Sequence, residues 1–403
     1  MSVPVPDILD NDLYKFLMQQ FLLKYPEYDV PVEYTLTLRK QPQYPFNSKF
    51  EQWFFLWLNH FTYSMPLLTP KQASWMSSIP GMQPWYINWL RGFKPNNKEV
   101  EWSVKDGDLT LKVRSPKWSR AIWWEVPLMG GISELYNASV MDTEDVVANC
   151  QLLDKLDNER FWKLGNANIV EFGTRRRFSL ANQRRVIDIL RNYPCYKGTS
   201  NVMLAFENNE IPKGTMAHEL FMGIAPLVGY KRVYEVVLNK WYNLYNPHYL
   251  IALPDTFGSQ HFFDNTPDSL YYMYDGMRQD SGRMDSFSGM YIRRLEKASF
   301  SHEDMSKKRI IFSNSLKEDH ICSARDTFKM PITNLSFGWG TGLTNSENLK
   351  EHIESATALN MVIKLSCVWK GNIIQPTVKI SDDPTKATGP THIIESITKG
   401  ERA

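Results

Sequence analysis

Between residues 140 and 345 the chain repeats one pattern: a short apolar run, a loop rich in Gly, Ser, Thr, Arg or Asp, then a helical stretch. Asn168–Phe172 precedes GTRRR, Tyr249–Leu253 precedes PDTFGS, and Leu270–Tyr274 precedes DGMRQDSG. Arg309–Phe312 precedes SNS, and Ile332–Phe337 precedes GWGTG. Strand, loop and helix in alternation indicate a parallel α/β architecture. An open sheet and a closed barrel both fit. The polar clusters all follow the strands, where barrel enzymes carry their functional residues, so the reading adopted is an irregular α/β barrel.

At 403 residues the chain is too long for one ordinary core. Residues 1–140 differ in texture and hold most of the thirteen tryptophans. There Val32–Leu38 alternates like a strand, Phe50–Phe61 reads as a buried helix, and Val100–Val113 reads as a hairpin turning at Asp106-Gly107-Asp108. Aromatic density of this kind is core packing. The division predicted is a mixed α+β N-terminal domain over 1–140 and a barrel-like catalytic domain over 141–345. A C-terminal segment over 346–403 completes the barrel and packs on the N-terminal domain. Met361–Val368 is its strand, and the tail beyond reads as partly ordered surface.

Forty-six basic against 44 acidic residues give no overall pull toward nucleic acid or a membrane surface. No secretory signal and no membrane-spanning apolar run is evident. Cys150, Cys195, Cys322 and Cys367 show no metal-binding spacing and read as buried thiols in a reducing cytoplasm.

The loops carry the chemistry. Gly338-Trp339-Gly340-Thr341-Gly342 follows a strand, and its glycines let backbone N–H groups approach a phosphate. It is neither a Walker loop nor a dinucleotide fingerprint. In Arg278-Gln279-Asp280-Ser281-Gly282 the arginine can fork onto a carboxylate or phosphate, and the aspartate can hold a sugar diol or magnesium. Arg175-Arg176-Arg177 after Glu171-Phe172-Gly173-Thr174 makes a local anion sink at a place where a helix start disfavours cations. Two Gly-Thr turns follow, at Gly198 and Gly214; the second leads to His218, which can be a nucleophile, a base or a core histidine. Asp255, after another strand, can orient an imidazole. The set suits a phosphorylated sugar with several charges. Hydride transfer and a hydrolytic triad fit poorly, with no GxSxG and no HExxH.

From Asp10-Asn11-Asp12-Leu13-Tyr14-Lys15-Phe16 onward, EFGTRRR, GTSN, GTMAHE, LPDTFGS, GMRQDSG, SNSL and GWGTGLTN follow one another. In these motifs and their order the chain resembles the nicotinate phosphoribosyltransferases of NAD salvage, over all but roughly the last fifty residues. The resemblance implies the type II phosphoribosyltransferase fold and the joining of nicotinate to 5-phosphoribosyl 1-pyrophosphate. It implies ATP hydrolysis coupled through a phosphohistidine, with magnesium (Mg2+) on the phosphates, and a homodimer with the monomer as the alternative. By motif, His218 takes the γ-phosphate of ATP with Asp255 and Glu219 near its ring. Arg175 and Arg278 flank nicotinate, Phe172 and Tyr14 sandwich its ring, and Thr215 lies close to the ring or the phosphate site. Asp280 and Asn314 hold the ribose hydroxyls, Gly340 and Thr341 the 5′-phosphate, and Arg39 the pyrophosphate. Tyr14 and Arg39 come from either the same chain or a partner.

Related nicotinamide-using enzymes carry Asp where this chain has Ser200. A neutral donor there favours a carboxylate substrate over an amide. The alternatives are a nicotinamide or quinolinate phosphoribosyltransferase, a barrel phosphosugar isomerase or aldolase, and a non-catalytic mononucleotide sensor. An isomerase or aldolase needs a positioned Lys or Glu base at a strand end, and no such lysine stands out in these loops.

Overall fold

The computed structural model describes residues 6–140, 150–327, 331–346 and 358–400. Within 141–345 six strands run parallel: β4 (Ile169–Glu171), β5 (Tyr196–Thr199), β6 (Ile251–Ala252), β7 (Gly276–Gln279), β8 (Arg309–Phe312) and β9 (Asn334–Trp339). Their spatial order is β5-β4-β9-β8-β7-β6. Read around a ring, that order is the chain order, and the seam is the pairing of first strand with last, Val170 with Gly338. Among the described residues no ladder joins β5 to β6, and the chain between them runs through the helices Val202–Glu207, His218–Val228 and Val233–Tyr245. The barrel is therefore irregular, open between β5 and β6. Every residue of β4 is buried, as expected of parallel strands covered on both faces.

One expected strand is a helix. Leu270–Tyr274 lies in and just beyond the helix Asp268–Met273, and the strand falls three residues later, at Gly276–Gln279. A short apolar run does not distinguish strand from buried helix. Here Pro267 and Asp268 supply a helix start that outweighs the run of tyrosines. Arg278 consequently sits inside β7 rather than in the loop after it.

The second sheet is antiparallel, in the order β11-β10-β1-β3-β2, with β1 (Val32–Leu38), β2 (Val100–Lys105), β3 (Asp108–Ser115), β10 (Met361–Lys370) and β11 (Ile373–Pro376). The β2–β3 hairpin turns through Asp106 and Gly107, both at positive φ, the backbone that matches strand twist in a two-residue turn. Behind the sheet the helix Ser48–Tyr63 buries Phe50, Phe54, Trp57 and Phe61, spaced by three or four residues. Burying each such ring contributes about 1.5–3 kcal/mol. The opposite face leaves Phe55 and Leu56 exposed, so this helix is half-buried rather than enclosed.

The C-terminal strands β10 and β11 extend the N-terminal sheet, β10 pairing with β1 along its length. The tail is not all surface, as the sequence suggested. After β11 the chain crosses the barrel mouth, where Val378, Lys379 and Ser381 are buried. Its contacts are with the loops after β6, β7 and β8, distant in sequence, so local composition carries no sign of them. Of the cysteines, Cys195 is buried and Cys322 and Cys367 are half-buried; the side chain of Cys150 lies outside the described residues.

Candidate active site

The C-terminal ends of the barrel strands and the inner face of β10 enclose a cavity of about 440 Å³, the size of a small-molecule site. Of the residues singled out from sequence, Tyr14, Arg39, Phe172, Arg175, Ser200, His218, Glu219, Arg278, Asp280, Gly340 and Thr341 all line it. Asp255, Thr215 and Asn314 do not. Asp255 is fully buried behind His218, and Thr215 is buried beside the turn leading to it. The Asn314 amide donates to the Gly282 carbonyl at 2.9 Å and accepts from Lys386.

The loop after β4 is built on Glu171. Its carboxylate accepts from the Gly173 N–H, from the Thr199 hydroxyl at 2.5 Å and from the Gln183 amide at 3.1 Å. Burial pushes this carboxyl up to about 7 despite those donors. The three arginines then diverge. Arg175 reaches the cavity, with Glu125 at 3.4 Å. Arg176 also lines it while donating to the Met361 carbonyl at 2.9 Å. Arg177 is spent on a two-pronged pair with Asp10, at 2.8 and 2.7 Å. Residues Asn11–Leu13 are bonded to Ser200–Val202 of the same chain, which carries Tyr14 into the cavity. Arg39, at the end of β1, likewise lines the cavity from within one chain.

Ser200 is not a free donor. Its hydroxyl donates to Asp12 at 2.8 Å, so a carboxylate stands beside the position after all. Asp12 lies 188 residues away, which is why a local reading missed it.

His218 opens a helix, where the dipole already disfavours a charged ring. Burial and the positive charge of Lys379 push it down to about 3, against the pull of Asp280. Its Nδ1 lies 3.0 Å from Thr256 Oγ1, and its Nε2 lies 3.0 Å from Asp280 Oδ2 and 3.8 Å from Asp255 Oδ1. Burial raises Asp255 to about 6, against the charge of Lys379. Burial acts on Asp280 in the same sense, but the His218 hydrogen bond and the Arg278 charge win and hold it well below the carboxylate range. Glu219, expected near the ring, instead pairs with Lys15, which also pairs with Glu125. Adjacent helix residues point in different directions, so His218 and Glu219 cannot share one partner face.

Arg278 offers a buried Nε with no hydrogen-bond partner among the described residues. Asp280 also accepts from the Ser313 hydroxyl at 2.8 Å. Across the cavity stand Lys364, Lys379 and Lys386, none of them anticipated. Burial lowers Lys364 to about 7, with Lys379 and Arg39 pushing the same way. Such crowding of cations is what a ligand with several negative charges relieves. Lys364 had one sequence signal, a lysine inside the apolar run MVIKLSCV. Among the described residues no group of three His, Cys, Asp or Glu side chains forms a metal cage.

Comparison with known proteins agrees along the whole chain. Residues 167–400 match the nicotinate phosphoribosyltransferase (NAPRTase) family, and residues 9–133 match the NAPRTase N-terminal domain. A nicotinate phosphoribosyltransferase of Methanosarcina mazei is 34% identical, over 96% of this chain and 95% of the relative. One from Chromohalobacter salexigens is 32% identical, over 96% of each. The crystal structure of nicotinate phosphoribosyltransferase from Porphyromonas gingivalis superposes with a TM-score of 0.88 at 28% identity, covering 98% of this chain and all of that one. That from Vibrio cholerae gives 0.84 at 27% identity, covering 98% and 93%.

Proposed function

Because the chain belongs to the nicotinate phosphoribosyltransferase family, we propose that its cavity holds nicotinate at the Phe172–Tyr14 end and two phosphate-bearing substrates along its cationic wall. The reaction transfers the phosphoribosyl group of phosphoribosyl pyrophosphate to the ring nitrogen of nicotinate, in NAD biosynthesis. The observation that carries the site assignment is the meeting in one cavity of two aromatic rings, Arg175, Arg278 and the cluster Arg39, Lys364, Lys379 and Lys386.

Phe172 and Tyr14 stack on the pyridine ring, and Arg175 and Arg278 take its carboxylate, the fork of arginine suiting that group better than lysine. Asp280 holds the ribose, with Asn314 outside the cavity wall supporting it through the Gly282 carbonyl and Lys386, and Gly340 and Thr341 take the 5′-phosphate. Thr215 backs the ring from beneath the wall, and Arg39 with the lysines takes pyrophosphate. The ring nitrogen attacks the anomeric carbon as its bond to the pyrophosphate oxygen breaks, and the pyrophosphate leaves with the electron pair. Positive charge grows on the ribose and negative charge on the leaving group, which the cationic wall stabilises. Orientation by stacking does more than base catalysis, since the pyridine nitrogen has no proton to lose.

ATP is coupled through His218. The neutral ring has a nucleophilic nitrogen at any ordinary pH, and a carboxylate at one nitrogen keeps the proton there and the lone pair on the other. That lone pair attacks the γ-phosphorus, a P–N bond forms, the P–O bond to ADP breaks, and water later releases phosphate. Asp280 on the cavity wall, with Asp255 behind it, whose Oδ1 has no hydrogen-bond partner among the described residues, would hold a magnesium ion, which would neutralise phosphate charge. Glu219 acts through Lys15 and Glu125 rather than on the ring.

Ser200 acts through Asp12: its hydroxyl occupies one oxygen of that carboxylate beside the nicotinate end. Tyr14 and Arg39 reach the cavity from one chain, which supports a monomer as the catalytic unit even within a homodimer. The scattered cysteines, with no paired spacing, support a cytoplasmic location, and no described helix is long and apolar enough to cross a membrane.

The test is product formation from nicotinate, nicotinamide and quinolinate, each with and without ATP, in wild type and His218→Ala. The expected result is nicotinate turnover, stimulated by ATP in wild type only. Equal stimulation in the variant removes the phosphohistidine, and turnover of nicotinamide without nicotinate removes the substrate assignment.

A further inference from the structure

Three residues hold the His218 ring, and all three are tied to one stretch of C-terminal chain. Thr256, at Nδ1, accepts the backbone N–H groups of Ile380 and Ser381 on its carbonyl, at 2.8 and 3.3 Å. Asp255, near Nε2, accepts from the Ser281 hydroxyl, and that same oxygen accepts from the Asp382 backbone N–H at 3.0 Å. Asp280, on Nε2, receives the Lys386 ammonium on its backbone carbonyl at 3.4 Å.

Asp382 is the centre of this strap. Its carboxylate accepts from the Ser259 N–H at 2.7 Å and from the Ser259 hydroxyl. The side chain therefore grips the loop after β6 while the main chain grips the loop after β7. The fit leaves little slack: a Cβ on Gly282, at φ +74°, would lie 3.0 Å from the Asp382 Cβ. Asp382, Ser259 and Ser281 are all absent from the cavity wall, so the strap reaches substrate only through the residues it holds.

We propose that Asp382 is a positioning residue for His218, clamping the loops after β6 and β7 so that Thr256, Asp255 and Asp280 fix the imidazole in one orientation. A reactive side chain works only when the groups behind it are themselves locked. The consequence for turnover rests on the phosphate-acceptor role proposed for His218; the consequence for ring orientation does not.

Two readouts of the full-length chain test it. The first is the pair of imidazole 15N resonances of ligand-free His218, assigned by their loss in His218→Gln. In wild type they report one neutral tautomer, and in Asp382→Ala they move toward an average of two. The second is steady-state kinetics. Asp382→Ala loses roughly tenfold of the ATP-stimulated rate, a larger loss than that of the ATP-free rate, while the KM for nicotinate stays within about twofold of wild type. Asp382→Asn keeps an acceptor for the Ser259 N–H and recovers most of the loss, which a general packing defect would not allow.

Unchanged His218 resonances in Asp382→Ala overturn the proposal, whatever ATP does. A wild type that ATP does not stimulate removes the phosphate-acceptor reading instead, and the resonances still decide the role of Asp382. If Asp382→Ala does not fold, Ser281→Ala cuts the clamp's other grip, between the Asp382 main chain and Asp255, and wild-type resonances there overturn it equally.

Discussion

Gly338→Ala tests whether Phe172 defines the nicotinate position, without touching any group that bonds substrate. A Cβ on Gly338 would lie 2.3 Å from Phe172 Cε2 and 2.4 Å from Cδ2. Carbon atoms pack comfortably at about 3.5–4.0 Å, so the ring must withdraw by more than about 1 Å. The Phe172 backbone cannot yield easily, because its N–H donates to the Trp339 carbonyl at 2.8 Å within the β4–β9 seam. The ring must swing instead, at an overpacking cost of about 1–3 kcal/mol. A misplacement near 1 Å costs on the order of a hundredfold in rate, about 2.7 kcal/mol. The assay is kcat/KM for nicotinate at saturating phosphoribosyl pyrophosphate. The expected result is that loss in a variant that still folds. Phe172→Ala removes the clash, so the double variant should fall only as far as Phe172→Ala alone. A folded Gly338→Ala enzyme within about threefold of wild type would refute the stacking role of Phe172.

Ser200→Asp puts a second carboxylate against Asp12 at the nicotinate end; kcat/KM for nicotinate should fall at least about tenfold, as like-charge crowding costs at least about 1.4 kcal/mol there. Retention of wild-type nicotinate kinetics would remove Ser200 from substrate selection. Glu171 has its folded pKa raised to about 7, so its contribution to stability is fully present below the ordinary carboxyl value of 4.5 and is lost as pH rises through about 7. Between pH 5 and 8 the Tm of wild type should therefore fall more than that of Glu171→Gln, which cannot titrate; parallel changes in the two proteins would contradict it.

The parts of the site that sequence made legible are those where one local segment does the whole job. The loops after β4, β7 and β9 were read as anion and phosphate loops because arginine and glycine follow an apolar run directly. What escaped depended on partners far along the chain. Arg175, Arg176 and Arg177 look alike in sequence, and only the position of Asp10 tells that Arg177 is used internally. The Ser200 hydroxyl reads as an open donor because Asp12, which accepts its hydrogen bond, is 188 residues away. Lys379 and Lys386 sit in a tail of Pro, Gly and charge, and nothing local says that it crosses the barrel mouth. The strand register around Arg278 was missed for a different reason, a helix start competing with an apolar run over the same residues.

The pairing of β1 with β10 also has a consequence for biosynthesis. On the ribosome the hairpin β2–β3 covers one edge of β1, but the other edge has no neighbour until β10 is made, some 320 residues after β1. At about 5–20 residues per second, that edge waits roughly 15 to 60 s. An open, partly apolar strand edge invites pairing with other chains. The nascent N-terminal half is thus the stage most exposed to aggregation, and the one where a chaperone that shields strand edges has most to do. The same stretch of chain that ends this wait goes on to cross the barrel mouth, so relief from aggregation and assembly of the active site arrive together.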